Sequence, residues 1–330
     1  MRILITGGSG FIGTNATAAF AEAGHAILNY SSHSPLDPGQ RSFWREGDIL
    51  DRAATLAAFS DFQPEWVLHL AARADCDENT TVERGYQVNT QGTLNVLDAI
   101  AATPAVERAI ITSTQFVCGP GRLRTHDEDY FPATVYGQSK VLTEKFTRAA
   151  GLACCWTIVR PTNIWGPWHL RYRREFWRVL QRGLYVHPGR QRVIRSYGYV
   201  KNVVDQMRRI FELPSNEACG RTLYLGDRPA NLFEWVNGFS RALVGHNART
   251  VPRPVLRILA LLGDVPSRLT GRAFLINSSR YRSMISDYDT PMEATFELLG
   301  ETPFSLEDGI KETVAWLRSY QGVDRAGGGA

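Results

Sequence analysis

The chain has 330 residues, 44% of them hydrophobic, enough to bury one large core or two moderate ones. Its 37 basic and 33 acidic residues leave a formal charge of +4, too slight an excess to argue for nucleic acid as a partner. The longest apolar run, near residues 255–262, is broken by Arg257. It falls short of the roughly 20 residues that a membrane-crossing helix needs, so no transmembrane segment is expected.

Residues 2–6 (RILIT) read as a first core strand ending at a glycine cluster. Met1-Arg2 runs straight into it with no signal-peptide pattern, so a cytoplasmic location is expected. A helical pattern follows through Ala23, where Gly24 stops it. Strand-like runs then occupy 26–30, 66–71, 108–113 and 155–160, and helical patterns 51–60, about 90–102 and 136–150. Strand and helix alternate and the strands are apolar throughout, which marks a parallel sheet covered on both faces. The expected class is α/β: a Rossmann doubly wound sheet with a smaller mixed C-terminal substrate domain. After Pro161 Trp, Arg and Pro become frequent. The expected division is therefore 1–165 for dinucleotide binding and 166–330 mostly for substrate, with room for some segments to return to the first domain. The tail from Gly322 is expected to fray. Cys76, Cys118, Cys154, Cys155 and Cys219 show no CxxC spacing and no His/Cys cluster. Such a set fits a reducing compartment, without a disulfide frame or a metal site.

The first sharp motif is Thr6-Gly7-Gly8-Ser9-Gly10-Phe11-Ile12-Gly13, placed after a strand and opening a helix. Glycines let the backbone turn tightly and approach a pyrophosphate, while the helix start supplies amides and the positive end of its dipole. No Lys-Ser/Thr follows, which excludes an ATP-type P-loop. An acid that holds the adenosine ribose usually stands roughly 20 residues on. Here the second strand ends Asn29-Tyr30-Ser31-Ser32-His33 without one. Its absence removes repulsion against a 2′-phosphate, and Ser31, Ser32 and His33 can donate hydrogen bonds, so the cofactor is NAD or NADP with a slight lean to NADP. Asp48, after Gly47, suits either an adenine amine or a helix cap.

The second motif is Tyr136-Gly137-Gln138-Ser139-Lys140. Positions i and i+4 share a helix face. A lysine there favours the phenolate, and the tyrosine can then serve as general acid or base at a hydroxyl. Upstream, at a strand end, Thr112, Ser113 and Thr114 offer a hydroxyl for the reacting oxygen, and spacing does not choose among them.

Together these motifs and GDILD (47–51), HLAA (69–72), VNTQGTLNVL (88–97), TSTQFVCG (112–119), RPTNIWGP (160–167) and RSYGYVKNV (195–203) resemble the extended short-chain dehydrogenases of the epimerase/dehydratase family. That family acts mostly on nucleotide sugars, and the resemblance spans nearly the whole chain. It implies Thr114 as catalytic hydroxyl, Tyr136 as acid/base and Lys140 as anchor for the nicotinamide ribose. It also implies cofactor contacts from Gly7, Gly10, Phe11, Ile12, Gly13, Asp48, Ile49, Leu70, Ala71, Ala72, Asn89 and Pro161. Asn163, Arg195 and, more weakly, Arg282 would meet a nucleoside diphosphate sugar. A homodimer through the helices near 90–102 and 136–150 is implied as well. Three departures stand out: the missing acid near Ser31, Cys118 where the family often has Tyr, and Lys201-Asn202 where it often has an acid.

Residues 115 and 116 discriminate within the resemblance. Sugar 4,6-dehydratases carry Asp-Glu after the catalytic Thr, and C3/C5 epimerases a cysteine acid near 116. Gln115-Phe116 supplies neither, because amide and phenyl exchange no proton at neutral pH. The expected reaction is 4-epimerisation or 4-keto reduction. Arg171, Arg173, Arg174, Arg178, Arg182, Arg190 and Arg192 suit phosphate contact or a solvated basic helix. The stretch 251–262 (VPRPVLRILALL) reads as a lid, a core helix or a lipid-facing segment. It feeds one rival reading, a dehydrogenase of a sterol-like alcohol. A second rival is a non-catalytic dinucleotide sensor.

Overall fold

In the computed structural model, residues 1–122, 126–270 and 277–326 are described, except for the side chains of 265–270 and 321–326. They form two compact units. The first unit takes Met1–Trp168, Gly198–Asp227 and Pro291–Pro303.

Its centre is a sheet of seven strands: β1 (Arg2–Thr6), β2 (Ala26–Ser31), β3 (Trp44–Glu46), β4 (Trp66–His69), β5 (Arg108–Thr112), β6 (Cys155–Pro161) and β7 (Thr222–Leu225). The order is β7-β6-β5-β4-β1-β2-β3 and every pairing is parallel. Ile3, Leu4 and Ile5 of β1 see no solvent, because helices cover both faces. On one side α2 (Arg52–Phe62), α3 (Thr93–Ala101) and α4 (Val135–Ala149) flank the sheet, and Phe59, Val96 and Ile100 pack on Leu4, Val67 and Ile111. On the other, α1 (Phe11–Glu22) and α5 (Val200–Glu212) meet through Phe20 and Phe211, and Phe211 stacks on Trp66 with centroids 4.7 Å apart. From β1 the chain winds outward to β3, and from β4 it winds the opposite way to β7. The crevice at the carboxyl ends of β1 and β4 is where such sheets take ligands. This is the Rossmann-type α/β fold expected from the strand–helix alternation.

The structure departs from the sequence reading in detail. The fourth strand stops at His69, and a wide turn over Val88–Gly92 precedes α3. Both α5 and β7 lie beyond residue 197 and return to the first unit, a return for which the expected division left room. The cysteines are corrected too. Cys155 and Cys219, 64 residues apart, are joined by a disulfide with Cα atoms 4.8 Å apart. Cys155 opens β6, and Gly220 donates to the Trp156 carbonyl at 2.8 Å. The pairing comes from strand adjacency, which no CxxC spacing announces, and the cysteine argument for a reducing compartment falls with it.

The second unit takes His169–Tyr197, Arg228–Thr290 and the chain from 304 onward. It holds α6 (Leu232–Val244), α7 (Arg253–Thr270), α8 (Ser278–Ile285) and α9 (Leu306–Ala326), with two short ladders, Val186–Pro188 on Arg249–Val251 and Ile194–Arg195 on Ala230–Asn231. Its interior is aromatic: Trp235 stacks on Tyr197 at 4.5 Å and on Phe176 at 5.1 Å, and Trp177 meets Phe239 at 5.7 Å. The tail expected to fray from Gly322 continues as helix to Ala326, and residues 327–330 lie outside the described ones. No described helix is long and apolar enough to cross a membrane.

Candidate active site

The glycine turn leaves β1 and enters α1. Gly7 has φ +72°, and a Cβ on it would come within 2.7 Å of the Ala71 backbone, so this left-handed, crowded position admits glycine alone. Gly10 donates its amide to the Gly7 carbonyl at 2.9 Å and caps α1 with no side chain on the helix amides and no acid in the first turn. Phe11, Ile12 and Gly13 are that turn. A helix start left without a side-chain cap suits a pyrophosphate, so these residues fit a dinucleotide.

Beneath the turn lies a bonded triad that sequence spacing did not isolate. Ser9 donates its amide to Ser31 Oγ at 3.2 Å, Ser31 Oγ donates to Asn29 Oδ1 at 2.6 Å, and Asn29 Nδ2 donates to Ser9 Oγ at 3.0 Å. Ser31 is thus buried and committed to holding the turn, which corrects its expected role as a donor to a 2′-phosphate. Ser32 and His33 are exposed and bonded to each other at 2.9 Å. Asp48 is exposed and accepts from the Leu50 amide. The cap of α2 is Asp51, which accepts from Ala54. Ile49 is buried against the core, with its carbonyl on Asn95 Nδ2 at 2.8 Å. Leu70, Ala71 and Ala72 follow β4 at the same sheet edge, where Leu70 and Ala71 donate to Thr6. Pro161 closes β6 beside Leu225.

The second constellation sits where β5 and α4 meet. Thr134 caps α4, accepting from the Gly137 amide at 2.9 Å, and this places Tyr136 and Lys140 one turn apart, both buried. Of the three candidate hydroxyls, Thr114 is the one that acts on the Tyr136 phenol, favouring its ionised form, whereas Ser113 Oγ turns away to Glu144 at 2.6 Å. Phe116 and Tyr86 wall the phenol at 6.2 and 6.1 Å. Burial pushes the phenol well above its ordinary range, Cys76 adds to that, and Thr114 opposes it. Lys140 Nζ donates to the Thr112 carbonyl at 2.7 Å. Burial lowers its pKa to about 8 against the pull of Glu144. The expected depression of the phenol by Lys140 is therefore not seen in this geometry: desolvation dominates the phenol, and the ammonium is held by a carbonyl.

Asn89 is buried in the turn before α3. Its side chain spans the Arg73 amide at 2.8 Å and Ser139 Oγ at 2.9 Å, and its carbonyl accepts from Thr143, so it fastens α4 to the sheet edge. Three further residues escaped the sequence reading. His69, between Thr6 and Thr93, is held neutral, with burial taking its pKa to about 3. Glu144 and Arg160 form an ion pair at 2.6 Å with both side chains fully buried. Glu144 stands one turn after Lys140 and also accepts from Tyr130 at 3.0 Å.

Asn163 follows β6 in the first unit and is half-buried. Arg195 and Arg282 belong to the second. Arg195 donates to the Ser286 carbonyl at 3.2 Å, with its guanidinium over the Tyr288 ring, and it opposes the upward push that burial gives the Tyr197 phenol. Arg282 is exposed and donates to the Ser278 carbonyl of its own helix at 3.4 Å.

The family model described as "NAD dependent epimerase/dehydratase family" matches residues 3–226. A 3-beta-hydroxysteroid dehydrogenase of Mycolicibacterium neoaurum is 28% identical over 270 residues, 76% of this chain and 71% of that protein. The N-acetyl-alpha-D-glucosaminyl-diphospho-ditrans,octacis-undecaprenol 4-epimerase of Escherichia coli O157:H7 is 28% identical over 337 residues, 96% of this chain and 95% of that protein. A solved UDP-glucuronic acid 4-epimerase from Bacillus cereus, in complex with UDP-glucuronic acid and NAD, shares the fold with a TM-score of 0.71 at 18% identity, covering 97% of this chain and 100% of that one. This chain belongs to the NAD-dependent epimerase/dehydratase family and is an NAD(P)-dependent enzyme of the extended short-chain dehydrogenase type.

Proposed function

We propose that the enzyme is a 4-epimerase or 4-keto reductase of a sugar carried on a diphosphate, a nucleoside diphosphate sugar being the first candidate. The observation that carries this is the Thr114–Tyr136 pair with Phe116 beside it: one proton-transferring hydroxyl pair, with neither side chain after Thr114 able to serve as a further acid or base. Tyr136 takes or returns the proton of the sugar hydroxyl, and Thr114 holds that oxygen. A phenol this buried ionises only beside compensating positive charge, which a bound oxidised nicotinamide would have to add, since Lys140 alone does not lower the phenol in the geometry described. A nicotinamide held there would supply the hydride chemistry at the sugar carbon, reversibly for epimerisation or as a net donor for 4-keto reduction. Gly7, Gly10, Phe11, Ile12 and Gly13 would hold the pyrophosphate, and Asp48, Ile49, Leu70, Ala71, Ala72, Asn89 and Pro161 line the remaining cofactor contacts. Asn163, Arg195 and Arg282 would meet the diphosphate. The preference for NADP now rests on Ser32 and His33 alone. A homodimer through α3 and α4 belongs to the same proposal.

A second reading, oxidation of a sterol-like alcohol, is favoured by the identity to the steroid dehydrogenase. The non-catalytic sensor is set aside, since the family is enzymatic. Incubation of UDP-glucose, UDP-N-acetylglucosamine and UDP-glucuronic acid with NAD, of a nucleoside diphosphate 4-keto sugar with NADPH, and of a 3β-hydroxysterol with NAD, followed by proton NMR and cofactor absorbance, tests the proposal. A new 4-epimer or a consumed 4-keto sugar supports it. Inert sugars together with NAD reduction by a 3β-hydroxysterol would replace it with the second reading.

A further inference from the structure

Helix α7 is seated on its unit by one narrow seam. Leu256 and Ala260, each 1% exposed, pack against Tyr281, with Val186, Met284 and Ile285 alongside. A spacing of four puts these positions on one line of the helix. The opposite side carries a second apolar stripe. Val255, Ile258, Leu259 and Leu262 stand at i, i+3, i+4 and i+7 and are 47, 59, 44 and 64% exposed, with Leu261 beside them at 55%. A solvated helix face carries polar residues there. Five large apolar side chains exposed within eight residues form the kind of patch that marks an interaction surface.

The charges around the stripe say what kind. Arg257 rises from α7 and Arg249 from the strand before it, both exposed. The parallel pairing of Val251 with Pro188 sets the ends of the two short strands side by side, and Arg190 and Arg192, two and four residues beyond Pro188, are exposed. Neither 249–263 nor 186–192 contains Asp or Glu. The next acid on α7, Asp264, is bonded to the Ser278 amide at 2.9 Å. We propose that this face docks on an anionic lipid surface. The stripe lies in the plane of the interface, and the arginines extend to the headgroups while their stems stay on apolar ground. The helix rests on the surface and does not cross it, in keeping with its length and composition. A second copy paired about a twofold axis would set these arginines against their own images, whereas anionic headgroups neutralise them. The proposal goes beyond the reaction and needs neither cofactor nor sugar, so it stands or falls apart from the proposed chemistry.

The test is co-sedimentation of the full chain with phosphatidylcholine vesicles, with and without phosphatidylglycerol, across a salt series. The wild type should pellet with the phosphatidylglycerol vesicles and release as salt rises. Ile258→Glu with Leu262→Glu should bind about tenfold more weakly or worse. Both side chains are exposed, so thermal melting should be unchanged and will show that the fold persists. Arg190→Gln, Arg192→Gln and Arg257→Gln together should abolish the preference for phosphatidylglycerol. A wild type that stays in solution at low salt overturns the proposal, as does a double-glutamate variant that pellets like it. Light scattering that finds a dimer converted to monomer by the glutamates would overturn it in favour of a second copy.

Discussion

The two units of the chain carry their chemistry in opposite ways. In the first, each reactive group sits within a few residues of the device that positions it: Gly7 and Gly10 at the mouth of α1, Thr134 capping the helix that bears Tyr136 and Lys140. In the second, Arg195 is bonded to Ser286 and faces Tyr288, so its partners come from a segment some 90 residues downstream. On the proposed reading, local chemistry would bind the cofactor and dispersed chemistry would tell substrates apart. Substitutions in the first unit should therefore damage the reaction itself, and those in the second should shift what is bound.

The sharpest break would come from Tyr136→Phe. Removing the phenolic oxygen leaves the ring packing against Phe116 and Tyr86 and takes away the proton carrier. Turnover should fall by about 10²–10⁴-fold, with the dissociation constant for the cofactor within about threefold of wild type. Single-turnover kinetics and fluorescence titration read the two quantities. Comparable turnover in the variant would remove Tyr136 from the mechanism.

Glu144→Gln comes next, and tests whether the ground beneath the motif is as local as the motif. The substitution keeps the shape but strands the buried Arg160 guanidinium, a change that costs about 3–5 kcal/mol when a buried pair loses one partner. Thermal melting should drop by roughly 10 °C. Glu144→Gln with Arg160→Met should recover part of that, because a neutral pair leaves no uncompensated charge. A single variant that melts like the wild type would show the pair to be dispensable.

That pair also marks the boundary of what the sequence reveals. TGGSGFIG and YGQSK are legible because turn geometry and the i, i+4 face bind each residue to its near neighbours. The strand alternation exposed β1, β2, β4, β5 and β6 for the same reason. Asn29, Glu144 and Arg160 were silent because their partners are side chains met only after folding: Asn29 looks like any strand-end residue until Ser9 and Ser31 close on it. The seventh strand was hidden because the chain leaves the sheet at Trp168 and returns at Gly198, an excursion that no periodicity encodes. Residues 255–262 illustrate a third limit. Their apolar spacing is the same whether one side is buried or two, and only the seam at Leu256 and Ala260 shows which stripe faces water.

Lys140→Met should have a smaller effect on stability, and one that depends on pH. The folded-state pKa of about 8 lies below the ordinary 10.5, so the folded chain binds fewer protons than the unfolded one between these values. Burying the ammonium thus costs stability in full below pH 8, and the cost fades as pH rises toward 10.5. The variant should melt above the wild type at pH 7, by up to a few kcal/mol in equivalent stability, and the gap should close by about pH 10. A gap independent of pH would mean that Lys140 is not buried as a cation.

The smallest effect concerns the cofactor's 2′ position, where the first unit stops being self-evident. With Ser31 turned inward to Ser9 and Asn29, any phosphate contact at this strand end falls to Ser32 and His33, which are exposed and bonded to each other. A carboxylate at position 32 would repel a 2′-phosphate and could accept from ribose hydroxyls. Ser32→Asp should therefore weaken NADP by about tenfold, close to 1.4 kcal/mol, and leave NAD unchanged or slightly tighter. Ser31→Asp, in contrast, would bury a charge under the glycine turn and should weaken both cofactors together. Isothermal titration of the wild type and the two variants with each cofactor separates these outcomes. If the wild type already prefers NAD by tenfold and Ser32→Asp changes neither affinity, the NADP preference is wrong. A retained NAD that takes the hydride and returns it then makes epimerisation the better reading of the site.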